Sequence, residues 1–401
     1  MATVSTHDAS AGRLSPLRAR IRQGFSEFFR AEAAGAVVLL AATILALVLA
    51  NTPLQHAYES FFHTEIGFAL GRWEFSLSLL HWVDDALMTL FFFVVGLEIK
   101  RELMVGELAQ KRKAALPILA ALGGMVVPAA IYLAINAGDS GANGWAVPMA
   151  TDIAFAIGIL ALLGSRAPTG LRVFLTALAI ADDIGAIVVI ALFYTANVSM
   201  IWLAAVAVLF LVLLAFSRAG VDSPWPYAVV GIALWAAMYA SGVHATIAGV
   251  LVALTIPSSL QRMESALHPI TTFIVLPLFA LGNAGVRVVG TDVGAMLTSP
   301  VALGIVLGLV LGKPLGIVSM TWLAVRFRVA DLPAGMNWHH VLGAGVLGGI
   351  GFTVSLFVAN LAFTDAAHSA PAKAAILTAS VIAGLAGYAM LRYGGTSSRV
   401  R

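Results

Sequence analysis

The chain has 401 residues, 60% of them hydrophobic and only 11% charged. Soluble proteins carry roughly 25% charged residues, so this composition belongs in a bilayer. The absence of cysteine excludes disulfides, thiolate metal sites and cysteine nucleophiles, and the net charge of +3 fits basic cytoplasmic loops rather than a nucleic-acid partner.

Residues 1–30 form a basic N-terminal tail. Arg13, Arg18, Arg20, Arg22 and Arg30 precede the first apolar run, which shows no clear cleavage site for a signal peptide. Leu14, Leu17, Ile21, Phe25 and Phe28 recur at helical spacing, which reads either as an amphipathic helix lying against membrane lipid or as a disordered basic tail. Between residues 31 and 393 hydropathy predicts twelve crossings. They lie near 34–51, 80–100, 115–136, 146–163, 172–195, 200–217, 225–240, 243–256, 267–287, 300–325, 340–363 and 371–392, ahead of a C-terminal tail over 394–401. Little more than Ser241-Gly242 separates the seventh from the eighth. In the first external loop, residues 62–79 alternate around Gly71-Arg72 and predict a short β-hairpin. A lone hairpin is marginal in water, so this one is expected to pair with another or to pack on the body.

The basic residues test the orientation. With the N-terminus inside, nineteen of the 23 Lys and Arg residues face the cytoplasm. Arg72, Arg287 and Lys373 fall outside, and Lys313 falls within the membrane. That asymmetry obeys the positive-inside rule and places both termini in the cytoplasm.

Four crossings carry what a plain spanning helix avoids at its centre. The fourth has Pro148, Thr151 and Asp152, and the fifth has Asp182-Asp183 inside the apolar run VFLTALAIADDIGAIVVIALFY (173–194). The tenth has Lys313 in GLVLGKPLG, and the eleventh has Gly348, Gly349, Gly351 and Thr353. At about 1.5 Å per residue across a core of about 30 Å, these groups lie near mid-depth. Each ionised group there costs a few kcal/mol or more, and such groups mark ion or proton pathways. Close packing is the default for Gly304, Gly308 and Gly312, which form consecutive GxxxG steps, whereas Gly348–Gly351 read equally as packing or as a helix interruption.

Together these features predict an all-α membrane protein with inverted-repeat transporter architecture, twelve transmembrane helices, two discontinuous helices crossing at mid-membrane and a small external β-hairpin. In that arrangement Asp152 would offset the positive N-terminal ends of the broken helices, and Lys313 the negative C-terminal ends. Carboxylate, hydroxyl and carbonyl oxygens suit hard cations. Adjacent helical residues point about 100° apart, so one of Asp182 and Asp183 can face the cation while the other faces Lys313. Protons and a small cation then compete for the same oxygens, which is the physical core of an antiporter.

Six motifs carry a resemblance: VVGLEIKREL (94–103), ATDIAFAIG (150–158), ALAIADDIGAI (177–187), SGVHATIAGV (241–250), GKPLGI (312–317) and GGIGFTVSLF (348–357). From about residue 30 to 392 the chain resembles the NhaA family of sodium/proton antiporters. The resemblance implies an electrogenic Na⁺(Li⁺)/H⁺ antiporter of the bacterial inner membrane, exchanging two protons for one sodium ion and activated at alkaline pH. It implies no cofactor, only transported Na⁺, Li⁺ and H⁺, and a homodimer formed through the external hairpin. Asp182, Asp183, Asp152 and Thr151 would bind the cation and the protons: Asp183 would be the leading Na⁺/Li⁺ ligand with Asp182 beside it, Asp182 would also be the partner of Lys313 in proton exchange, and Asp152 with Thr151 would sit at the helix crossing. The pH-sensing residues would be Glu98, Arg101, Glu102, Glu264 and His268, with His244 linked to the response. The chain departs from the family pattern in having Ser265 at a sensor histidine position and Asp84 beside Asp85.

A sodium-coupled symporter of an organic solute on a similar fold is the alternative, but no polar or aromatic substrate cavity is evident in the sequence. An intramembrane aspartyl protease would need aspartates on different helices with a GxGD-type motif, whereas Asp182-Asp183 stand in IADDIG. A P-loop reading of GKP fails because Pro314 stands where Ser or Thr is required.

Overall fold

The computed structural model describes residues 32–70, 73–195, 198–260 and 262–394. The possible interfacial helix at 14–29 and residues 395–401 of the tail lie outside the described residues. Helix α1 (Glu32–Ala50) is followed by a short α2 (Gln55–His63) and by the strands β1 (Glu65–Leu70) and β2 (Trp73–Ser78). The strands pair antiparallel from Glu65↔Ser78 to Leu70↔Trp73, within the segment whose alternation predicted a hairpin. Trp82 donates to Ile66 O at 2.9 Å and so ties β1 to the body. In α2, the Tyr58 hydroxyl donates to Leu281 O at 2.6 Å, and burial pushes that hydroxyl up to about 12.

The next helical run begins with α3 (Leu79–His81), passes through a π turn at Trp82–Leu87 and continues as α4 (Met88–Met104). Helix α5 (Lys111–Asn136) contains Pro117 and Pro128. A 3₁₀ segment, Ser140–Met149, leads to α6 (Ile153–Leu163), and α7 (Thr169–Phe193) then runs unbroken. Helix α8 (Met200–Arg218) precedes α9 (Pro224–Ser241), which ends on Gly242 at φ 82°, a left-handed conformation that glycine adopts without strain. Residues 242–246 then turn the chain toward α10 (Ile247–Thr255), a longer connection than the Ser241-Gly242 gap read from the sequence, so α10 begins four residues later than the eighth predicted crossing.

The remaining path runs through α11 (Arg262–Ile270), a π turn at Thr271–Val275, α12 (Leu276–Asn283) and α13 (Val293–Leu297). Helix α14 (Pro300–Leu307) passes through a third π turn, Gly308–Gly312, into α15 (Lys313–Arg326). The chain closes with α16 (Trp338–Gly348), α17 (Phe352–Ala362) and α18 (Ala366–Tyr393).

Among the described residues, eight helical stretches are long and apolar enough to cross a membrane, or nine when α16 and α17, bent by 44°, count as one span. The three other predicted crossings, 80–100, 225–240 and 243–256, fall on α3–α4, α9 and α10. Helix α10 has only 9 residues, and α4 carries Glu98, Lys100, Arg101 and Glu102 in its last turns.

Small residues set the closest approaches. A Cβ on Gly123 or on Gly316 would strike the other's carbonyl, so α5 and α15 meet backbone to backbone. Gly308 lies against the ring of Pro148, and Gly312 against the backbone of Pro128. The main core surrounds these contacts and α7, and a smaller apolar cluster joins the outer face of α4 to α8, α9 and α10.

Candidate ion-binding site

Two chain breaks meet at the centre of the bundle. Residues 150–152 separate the 3₁₀ segment from α6, and residues 349–351 separate α16 from α17. Asp152 N donates to Ile350 O at 2.6 Å, and Thr151 Oγ1 donates to Gly348 O at 3.0 Å, so the breaks satisfy each other's freed backbone groups. Gly349 stands against Leu309 O, where no larger residue fits.

Asp152 is the N-cap of α6, accepting from Phe155 N at 3.1 Å. Its other oxygen accepts from Thr353 N at 3.0 Å and Thr353 Oγ1 at 2.6 Å, at the start of α17. One carboxylate therefore faces the positive ends of two helices at once. With three donors on its two oxygens, it has little capacity left for a ligand.

Lys313 stands where the third π turn gives way to α15, and a π turn rotates the side chains that follow it out of register. Its stem passes Gly124, where a Cβ would lie 3.6 Å from Cδ. Lys313 and Asp182 are both fully buried, and Lys313 Nζ donates to Asp182 Oδ2 at 2.6 Å. The ammonium thus takes as its partner the one of the two adjacent carboxylates that the resemblance assigned to it. Asp182 Oδ1 has no hydrogen-bond partner among the described residues, although Thr151 lies beside it.

Asp183, one residue further along α7, is 5% exposed and forms no hydrogen bond among the described residues. Asp182, Glu98, Asp152 and Lys313 all lie within coulombic range of it. The three central carboxylates thus differ in kind: Asp152 accepts three hydrogen bonds, Asp182 is half engaged by an ammonium, and Asp183 accepts none among the described residues.

The other expected residues separate into two places. Glu98, Arg101, Glu102 and Glu264 meet at one end of the bundle. Arg101 pairs closely with Glu264 and lies 3.5 Å from Glu102 and 3.7 Å from Glu98. His268 stands at the same end, its Nε2 2.9 Å from Glu32 Oε1. Glu32 was not anticipated: as a single acid at the edge of an apolar run, it carries no motif signal. Lys100 caps the last turn of α10, donating to Leu254 O at 2.7 Å and Ile256 O at 2.6 Å. His244 is elsewhere, in the turn between α9 and α10, with its ring 6.2 Å from that of Phe357. The geometry does not join His244 to the Arg101 cluster.

A family model described as Na+/H+ antiporter 1 matches residues 26–391. The chain is 47% identical over 378 residues to a protein of Shewanella loihica named Na(+)/H(+) antiporter NhaA, covering 92% of this chain and 96% of the relative. It is 48% identical over 375 residues to Na(+)/H(+) antiporter NhaA 2 of Flavobacterium johnsoniae, covering 92% of each chain. With Na(+)/H(+) antiporter NhaA 1 of Klebsiella pneumoniae the identity is 49% over 384 residues, covering 93% of this chain and 97% of the relative.

Proposed function

The chain belongs to the Na⁺/H⁺ antiporter 1 family, and from that membership and the geometry of its buried site we propose that it exchanges one Na⁺ or Li⁺ leaving the cell for two protons entering. It is a multi-pass membrane protein and a secondary transporter, not an enzyme. We place it in a bacterial inner membrane, crossing twelve times with both termini in the cytoplasm and the two broken helices in equivalent positions of inverted repeats. The observation that carries the reading is the division of labour among Asp152, Asp182 and Asp183.

Asp183 offers carboxylate oxygens without competing donors, so it is the place for a small hard cation. Asp182 Oδ1, turned away from Lys313, supplies a second oxygen. Thr151 holds the crossing beside it. A cation carries one positive charge into a site that Lys313 already balances, and it displaces protons from the carboxylate–ammonium group as it binds. Protons arriving from the other side reverse that displacement. Two protons against one Na⁺ move one net charge per cycle, so the exchange responds to membrane potential by about 2.3 kcal/mol per 100 mV. Asp152 positions the site by holding two helix ends together. The Arg101 cluster and the His268–Glu32 pair stand at the cytoplasmic end of α4 and α11, where they set the pH response. The external hairpin joins two copies as a homodimer.

Reconstituted vesicles test the reading. Acid-loaded vesicles at an external pH of about 8 are expected to lose internal protons on addition of NaCl or LiCl and not of KCl. Failure of Na⁺ and Li⁺ to release protons would remove it.

A further inference from the structure

The end of α4 opposite Arg101 holds a second polar assembly. Asp84, in the π turn before α4, accepts from Asn283 Nδ2 at 2.6 Å and from Asn360 Nδ2 at 3.4 Å. Asn360 Nδ2 also donates to Asn283 Oδ1 at 2.6 Å, and Asn283 gives its remaining amide hydrogen to Phe279 O at 3.1 Å. Lys373 on α18 lies within coulombic range of Asp84. The π turn, α12 and α17 thus each send one polar side chain to a common point, with Lys373 of α18 in the surroundings. Desolvating a carboxylate and two amides is costly, and apolar residues would pack the same junction without that cost.

The assembly is aligned with the central site. Thr353, which donates to Asp152, and Asn360 are seven residues apart on α17, so they share one helical face about 10 Å apart along the axis. Phe357 lies between them on that face. Its ring centroid is 5.4 Å from Phe92, 6.3 Å from Phe279 and 6.2 Å from His244. A polar cluster, a buried aromatic ring and the Asp152 contact therefore follow one another along a single helix.

We propose that Asp84, cradled by Asn283 and Asn360, is a second binding site for the transported monovalent cation, a relay on the external side that Phe357 separates from Asp183. The proposal rests on the antiporter reading and its orientation. Carboxylate and amide oxygens suit a hard cation. Asn360 Oδ1 has no donor among the described residues, and a half-turn of that amide brings the oxygen to the carboxylate. Lys373, which forms no direct ion pair with Asp84 among the described residues, supplies a nearby positive charge that competes with the cation for the carboxylate.

The test measures the apparent KM for Na⁺ separately at each face, using the full chain in right-side-out and inside-out vesicles. Asp84→Asn is expected to raise the external KM about tenfold and to leave the cytoplasmic KM within about twofold. Lys373→Met, which removes the competing charge, is expected to lower the external KM. A structural role does not produce opposite, face-specific shifts from two neighbours. Equal changes at both faces, or an unchanged external KM in Asp84→Asn, overturn the relay. Should Asp84→Asn fail to fold, Asn360→Ala and Lys373→Met retain the carboxylate: the first is expected to raise the external KM and the second to lower it, and the absence of either shift overturns the proposal. Lack of Na⁺-driven exchange in the unsubstituted protein removes the antiporter reading itself.

Discussion

At the scale of single residues, the buried Asp182–Lys313 pair separates stability from transport. Both groups are fully desolvated, so removing one partner leaves an uncompensated charge, at a cost of order 3–5 kcal/mol. Lys313→Ala is therefore expected to lower the thermal unfolding midpoint of the detergent-solubilised protein markedly. Asp182→Leu combined with Lys313→Met should recover most of that loss while remaining inactive in exchange. A double variant no more stable than Lys313→Ala would show that the pair's worth is not electrostatic. Asp182, Asp183, Asp152 and Lys313 were legible in the sequence because an ionisable group amid apolar residues has no cheap explanation. Glu32, Asn283 and Asn360 were not, because Glu32 sits at the edge of an apolar run and an amide in a membrane helix is unremarkable until its partner is known. Asn283 and Asn360 find theirs 199 and 276 residues away in the chain, at Asp84.

At the scale of elements, the two breaks matter more than the regular helices around them. Asp152 caps α6 and meets the start of α17, and each lost cap costs about 1 kcal/mol in an exposed helix. Asp152→Ala is expected to destabilise the protein by about 2 kcal/mol or more, and to raise the KM for Na⁺ because both helix starts loosen. Thermal unfolding and vesicle transport on the same preparation check this; an unchanged KM with lowered stability would confine Asp152 to folding. The interruption near Pro148 and the glycine run at 348–351 were visible in the sequence as features. That Asp152 N and Ile350 O would satisfy each other at 2.6 Å was not, since it depends on the approach of two distant segments. The π turns were equally hidden. They leave hydropathy intact while shifting the register of Asp84 and Lys313.

At the scale of the whole molecule, ion competition and assembly give separate tests. If two protons compete with one Na⁺, mass action moves the pH of half-maximal exchange downward by about 0.5 for each tenfold rise in Na⁺, against about 1 for a single proton. Vesicle transport across a matrix of pH and Na⁺ distinguishes the two slopes. If the hairpin joins two copies as proposed, deleting residues 65–78 is expected to leave a monomer on size-exclusion chromatography while ion exchange stays measurable, because the central site lies within one chain. A dimer that survives the deletion would move the interface elsewhere. The most direct test of the central claim, that Asp183 is the carboxylate where cation and proton compete, measures proton release from purified protein on addition of Na⁺ in weakly buffered detergent solution at a pH of about 8. The unsubstituted protein is expected to acidify the solution with Na⁺ or Li⁺ and not with K⁺, and Asp183→Asn to release no protons; Na⁺-dependent release from Asp183→Asn at the unsubstituted level would contradict the account.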